Sequence, residues 1–228
     1  MQLYLAQTQQ EAESCRERTG LSAAELLNAH GVFAVPTTAV GCVALTEEER
    51  TLLGKKKVSA VVTPLLNGKS GLPHADVTAC VQAGMNVALG TAGAVDSGSL
   101  DMFEVMRSVA CNARVAGGDS DKMPAAAVLM MATTCGARAQ GRKDNCGMLK
   151  EGMDADLVMV DFSAPHLIPC HDVMNALVFS AKGGDVALTM VGGKILYQNG
   201  AFPTLDLSAA VQQIMSHTIG TIMGKDEQ

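Results

Sequence analysis

The chain has 228 residues, 48% hydrophobic and 18% charged, with 23 acidic against 17 basic side chains and a net charge of −6. Such a balance gives a globular chain long enough for a sizeable core, and it excludes a disordered, collagenous or disulfide-stapled one. Only 3% of the residues are aromatic, so both the basic face and the stacking rings of a nucleic-acid binder are missing, and no nucleic acid is expected as a partner. No apolar run reaches bilayer length, and the opening MQLYLAQTQQ lacks the basic-then-apolar layout of a secretory leader. A cytoplasmic protein with no membrane partner is therefore expected. Cys15, Cys42, Cys80, Cys111, Cys135, Cys146 and Cys170 form no CxxC pair, which reads as reduced, mostly buried thiols.

In chain order, Leu3 to Ala6 is a short apolar strand candidate, followed by a polar helical stretch. Ser22 and Glu25 then make a capping box for a helix that stops at Gly31. VFAVPTTAVGCVAL supplies the next β-branched run, and Thr46 with Glu49 caps a helix ending near Gly54 and its lysines. VSAVVTPLL reads as a third strand, HADVTACVQAG as a third helix and NVALGTAG as a fourth strand ending in glycines. A strand about every thirty residues is the spacing of a βα unit. Unalternating runs such as VSAVV point to burial on both faces, and hence to an α/β fold with a parallel sheet.

Two longer helical segments come next, SLDMFEVMRSVACNARVAG and PAAAVLMMATTCGARAQG, the second with Pro124 in its first turn. Beyond Gly147 the texture changes. GMLKEGMDADLVMVDF gives a turn and a β-run, DVMNALVFSAK a helix, and VALTMVGGKILYQNGAF a hairpin turning at Gly192 and Gly193. From Ser208 apolar residues recur at helical spacing, in a helix expected to dock on the body.

NVALGTAGAVDSGSLDMFEVMR, MPAAAVLMMATTCGARAQG and GMLKEGMDADLVMVDF, in this order and spacing, closely resemble the C-terminal half of the amidohydrolase superfamily. The branch they resemble holds the methylthioadenosine and S-adenosylhomocysteine deaminases with their chlorohydrolase relatives. The resemblance implies the C-terminal half of a TIM-type (β/α)8 barrel, about four βα units, plus part of a small β-sandwich and a C-terminal helix. It divides the chain into a partial barrel at residues 1–145, a partial sandwich at 146–205 with an inserted helix at about 171–182, and a helix and tail at 206–228.

Family chemistry uses zinc or iron to activate a water while a carboxylate moves the proton. The family's His-x-His pair belongs to a strand outside this sequence. Where the fifth strand reads His-Leu-Ala-Glu, this chain reads Tyr4-Leu5-Ala6-Gln7; His-Cys on the sixth becomes Gly41-Cys42, and Thr-Asp-Gly on the eighth becomes Thr91-Ala92-Gly93. Gln7 carries no titrating proton and Ala92 no donor atom. The resemblance thus implies degenerate positions at Tyr4, Gln7, Gly41 and Ala92, no bound metal or other cofactor, no expected catalytic residue, and a truncated, catalytically silent structural or interaction subunit. The alternative is a hydrolase of C–N bonds, a deaminase of amino-heterocycles or adenosine-type substrates, whose metal site another chain completes.

Tyr4 is read as filling the emptied metal cavity. Cys42, Asn67, His74, Thr91 and Asp96 are the candidates for lining a vestigial pocket that takes a purine-like small molecule. Cys42 has no neighbouring histidine in sequence and reads as an inert thiol, while His74 and Asp76 read as the start of a helix. His166, Cys170 and His171 resemble a metal cluster, but Asp172 beside them reads as a helix cap. Asp101 and Glu104 fall at helix spacing near a helix start, and the glycines from Gly90 to Gly98 lack phosphate-loop spacing. Half a barrel would leave two sheet edges and an apolar face unpaired, so a homo-oligomer or a partner chain supplying the other half is expected.

Overall fold

The computed structural model describes the backbone of residues 1–222 and the side chains of residues 1–217. The chain divides into two compact units, Met1–Met153 with Phe162–Gly184, and Asp154–Asp161 with the described residues from Asp185 onward.

The first unit is built on four parallel strands lying side by side in chain order: β1 (Gln2–Leu5), β2 (Thr38–Gly41), β3 (Ser59–Val62) and β4 (Asn86–Leu89). Between them run α1 (Gln9–Thr19), α2 (Ala23–Ala29), α3 (Glu47–Lys55), α4 (Pro64–Lys69) and α5 (Val77–Gln82). After β4 come α6 (Ala94–Ser97), α7 (Met102–Gly117), α8 (Ala125–Ala132) and α9 (Thr134–Ala139). The α/β reading with a parallel sheet holds.

Register sorts the side chains onto two faces. Leu5, Gly41, Val62 and Leu89 follow one row, and Tyr4, Val40, Val61 and Ala88 pair in the next, which points the other way. The first face joins the core with Leu53, Val58, Val105 and Val109. On the second, Thr38 Oγ1 donates to the Ala139 carbonyl at 2.9 Å and Asn86 Nδ2 to the Cys135 carbonyl at 3.0 Å, tying α9 across the sheet.

Both capping boxes form: Ser22 and Glu25 exchange side-chain and backbone bonds at α2, as do Thr46 and Glu49 at α3. Gly54 lies within α3 instead of ending it. A Cβ there would stand 2.0 Å from the Ala83 carbonyl oxygen, so close backbone approach sets the residue. The VFAVPTTAVGCVAL strand is confined to β2, with Val32–Ala34 a 3-10 turn. Strand β3 stops at Val62 because Thr63-Pro64 opens α4, with proline at its first position. The long helix expected from Pro124 is two helices, with Pro124 preceding the first. Thr133 breaks them at φ −120°, ψ −89°, its hydroxyl bonding back to the Leu129 carbonyl.

The inserted helix is α10 (Val173–Phe179), and it packs against α7 and α8 in the first unit with Val178 fully buried. Arg107 donates from Nε to the Phe179 carbonyl at 2.9 Å and from a terminal nitrogen to the Ala181 carbonyl at 2.6 Å. Arg114 lies 4.5 Å above the Phe179 ring.

The second unit holds an antiparallel sheet of β5 (Leu157–Val160), β6 (Val186–Val191) and β7 (Lys194–Gln198), followed by α11 (Leu207–Ile222). Gly192 and Gly193, at φ +54° and +78°, make the hairpin turn that the pair of glycines announces. Leu207, Val211, Ile214 and Met215 on α11 are exposed. Residues 223–228 of the expected tail lie outside the described residues. No helix among the described residues is long and apolar enough to cross a membrane.

Candidate functional site

At the C-terminal ends of the strands the backbone turns through left-handed conformations at non-glycine residues. Ala6 follows β1 at φ +49°, Cys42 follows β2 at +56°, and Ala92 lies beyond β4 at +58°. Each costs on the order of 1 kcal/mol for an L-residue. The first is held by a cap: the Glu11 carboxylate accepts the Ala6 N–H at 3.1 Å and the Gln7 N–H at 2.9 Å. The Ala6 carbonyl in turn accepts the N–H groups of Val43 and Ala44, both at 2.9 Å, locking the ends of β1 and β2 together.

The side chains at these ends carry little chemistry. Gly41, at φ +101°, leaves space that Gln7 uses: a Cβ at 41 would lie 2.9 Å from Gln7 Cγ. Tyr4 does not fill a cavity. It is 65% exposed, because β1 is the sheet's edge strand and no described residue covers its ring. Ala92 has only a methyl, and Thr91 Oγ1 is spent on the Ala92 carbonyl at 3.0 Å. Asp96 is exposed above Gly93. Cys42 is buried, its thiol facing the Ala39 carbonyl at 3.6 Å, and burial pushes its pKa far up. Burial likewise lifts Cys80 to about 11. Cys111 and Cys170 are exposed, so the expectation of mostly buried thiols holds for Cys42 and Cys80 and fails for those two, which lie on the outer faces of their segments.

A groove of about 250 Å³ lies on the helix-covered side of the sheet. It brings together Gly41, Asn67 and His74 from the sequence candidates, while Cys42, Thr91 and Asp96 stay outside its lining. Asn67 is buried and donates to the Pro73 carbonyl at 2.7 Å. Partial burial holds the His74 imidazole below its usual pKa. Thr63, Asp76, Thr78, Gln82, Asn112 and Lys122 complete its polar lining. Of these, sequence reading reaches only Asp76, because helical periodicity gives the inward side of α5 and α7 without telling which neighbour each faces.

The remaining candidates are structural. Asp76 Oδ1 caps α5 through the Ala79 N–H, and Asp172 caps α10 through the Asn175 N–H. Asp101 accepts the Phe103 and Gly183 N–H groups, each at 2.8 Å, and Glu104 is exposed. His166, Cys170 and His171 are exposed, and among the described residues no three His, Cys, Asp or Glu side chains are grouped to hold a metal.

A parallel α/β sheet with its irregular turns at the strand C-termini places the molecule in the class of βα-unit folds that build their sites there. Comparison narrows this. A profile of the Amidohydrolase family matches residues 6–196, and the chain belongs to that family. It is 40% identical over 214 residues to a 5-methylthioadenosine/S-adenosylhomocysteine deaminase of Moorella thermoacetica, covering 94% of this chain and 50% of the relative. A 5'-deoxyadenosine deaminase of Methanosarcina acetivorans is 36% identical over 213 residues, covering 93% and 49%. Among solved structures, an adenosine deaminase from Xanthomonas campestris with bound zinc superposes with a TM-score of 0.90 at 31% identity, covering 94% of this chain and 49% of that one. A zinc-complexed atrazine chlorohydrolase from Arthrobacter aurescens shares the fold, with a TM-score of 0.86 at 23% identity over 94% and 48%. The chain spans about half the length of the curated relatives it matches.

The side chains present do not fit the zinc named with those two structures. At the positions the family resemblance assigns to ligands and proton shuttle stand an exposed phenol, a carboxamide, a glycine and an alanine. These supply neither the imidazole and carboxylate donors of a zinc site nor a titrating group.

Proposed function

We propose that this chain keeps the amidohydrolase scaffold without metal-dependent hydrolysis of its own and serves as a structural or interaction subunit. The observation that carries the reading is the set of strand ends: Tyr4, Gln7, Gly41 and Ala92 sit where donors are needed, and Gln7 occupies the room a side chain at 41 would use. Hydrolysis at neutral pH needs both an ion to acidify water and a base to take its proton. The outer edge of β1, paired on one side only, is the feature offered to a second copy or a partner chain.

The test is metal analysis of protein prepared without chelator, together with ammonia release from 5'-deoxyadenosine, methylthioadenosine and S-adenosylhomocysteine. Zinc well below one per chain and no turnover are expected. One zinc per chain with turnover overturns the reading.

A second reading, a C–N hydrolase completed by another chain, is favoured by relatives that are named deaminases at 36–40% identity. Under it the protein purifies from its source with a chain carrying His-x-His, and deamination appears only in the complex.

A further inference from the structure

We propose that the cleft between α1 and the turn from β2 into α3 binds a small primary alkylammonium, with the buried Glu49 carboxylate as its acceptor. The cleft has a volume of about 450 Å³, within the range of small-molecule sites. It is a different place from the strand-end positions and from the groove of Asn67 and His74, since none of Tyr4, Gln7, Gly41, Asn67, His74 and Ala92 lines it.

Glu49 is the residue that defines the site. It is only 5% exposed, and a buried carboxylate is costly unless hydrogen bonds and a counter-charge meet it. Its Oε2 accepts the Thr46 N–H at 2.9 Å, which closes the α3 capping box. Its Oε1 accepts no hydrogen bond, and the carboxylate makes no ion pair, among the described residues. Arg50, its neighbour in sequence, donates to the Leu45 carbonyl instead. Among the described residues Asn86 Oδ1 is the one enclosed side-chain oxygen left without a partner, so Glu49 Oε1 is not sealed in and opens on the cleft that the residue lines.

The rest of the lining selects the donor. Glu13, Glu17 and Glu49 line the cleft with a single guanidinium, that of Arg16, so a cation is preferred to an anion. The Arg16 charge also acts on Glu25 and Glu48, which lie outside the lining. No three His, Cys, Asp or Glu side chains among the described residues are grouped to hold a metal, which favours an organic cation. A guanidinium is best met by both oxygens of a carboxylate. Here one oxygen is already taken by Thr46, and the point-like donor of an ammonium suits the one that is left. Ser22 is 3% exposed, and its Oγ, like Thr46 Oγ1, accepts one backbone N–H and keeps a second lone pair. Ala12, Val43 and Ala44 add an aliphatic wall, and the lining has no aromatic ring, so an alkyl chain is accommodated while a quaternary ammonium finds no π-face.

The test is calorimetric titration of the full chain with butylammonium, using tetramethylammonium, methylguanidinium and butyrate as controls. Saturable one-to-one binding of butylammonium is expected, with each control weaker by about tenfold or more. Glu49→Gln removes the charge and keeps the capping box, which takes glutamine as well as glutamate at that position. It is expected to weaken binding about tenfold with an unchanged melting temperature in the absence of ligand. Ala12→Leu, which narrows the cleft from the α1 side and leaves the carboxylate in place, is expected to weaken binding similarly. Arg16→Gln removes the one positive charge of the lining and is expected to tighten binding about twofold. Absence of saturable binding at millimolar concentration, equal binding of tetramethylammonium, or binding that survives Glu49→Gln overturns the proposal. Should Glu49→Gln lower the melting temperature, the other two variants decide: unchanged binding in Ala12→Leu, or weaker binding in Arg16→Gln, overturns it as well. Zinc content and ammonia release are separate readouts, so failure here is distinguishable from failure of the proposed function.

Discussion

At the scale of a single residue, Ala92 combines a strained backbone with a side chain that has no donor atom. It holds a left-handed backbone at φ +58° and offers only a methyl group in return. A left-handed alanine is strained on the order of 1 kcal/mol relative to glycine, while glycine loses more entropy on folding, and the strain is the larger of the two. Ala92→Gly is therefore expected to raise stability by roughly 0.5–1 kcal/mol, read from the urea midpoint; a fall would show that the methyl packs against something that matters. The identities of Tyr4, Gln7, Gly41 and Ala92 were legible in the sequence. The backbone conformations at the strand ends were not, since a positive φ such as that of Ala6 is fixed partly by bonds from distant residues, here the Val43 and Ala44 N–H groups donating to the Ala6 carbonyl. Tyr4 was misread for a related reason: a ring's burial depends on which strand lies beside it.

Among the elements, those with local signals were legible and those set by distant partners were not. Ser22, Thr46 and Asp172 cap the helices they announce because a cap is decided within four residues. The break at Thr133 was invisible, since the run PAAAVLMMATTCGARA is helical in composition throughout. Nothing local said that α10 packs on α7 either. That helix is too short to persist alone, and Arg107 grips its end through two carbonyls. Arg107→Met is expected to cost about 2–3 kcal/mol, since bonds to a charged donor are lost and two part-buried carbonyls go unpaired. A urea midpoint within error of the parent would rule the clasp out as a source of stability.

For the molecule as a whole, the thirty-residue strand rhythm and the unalternating apolar runs were enough to give a parallel sheet with helices. The groove escaped because it is assembled from α4, α5, α7 and the segment after α7, whose mutual placement no local pattern encodes. Titration acts at this scale too. Hydrogen bonds from backbone and Ser22 hold Glu25 below its ordinary value of 4.5, and similar bonds lower Glu48, and Asp172 from 3.8. Desolvation holds His74 below 6.5. In each case the folded chain binds protons less readily than the unfolded one, so the stabilisation is complete above the unfolded pKa and is lost as pH falls. Urea midpoints are expected to begin declining below about pH 6.5 with His74 and to fall more steeply below about pH 4.5 with the carboxylates. A midpoint flat from pH 7 to pH 4 would contradict this.

The order β1, β2, β3, β4 has one more consequence, for biosynthesis. Each of these four strands lies next to the one translated just before it, so each newly emerged strand meets its neighbour already exposed outside the ribosome. Pairing of the sheet can advance vectorially, one strand and its crossover at a time, whereas the ties of Thr38 to Ala139 and of α7 to α10 close only after later segments are made.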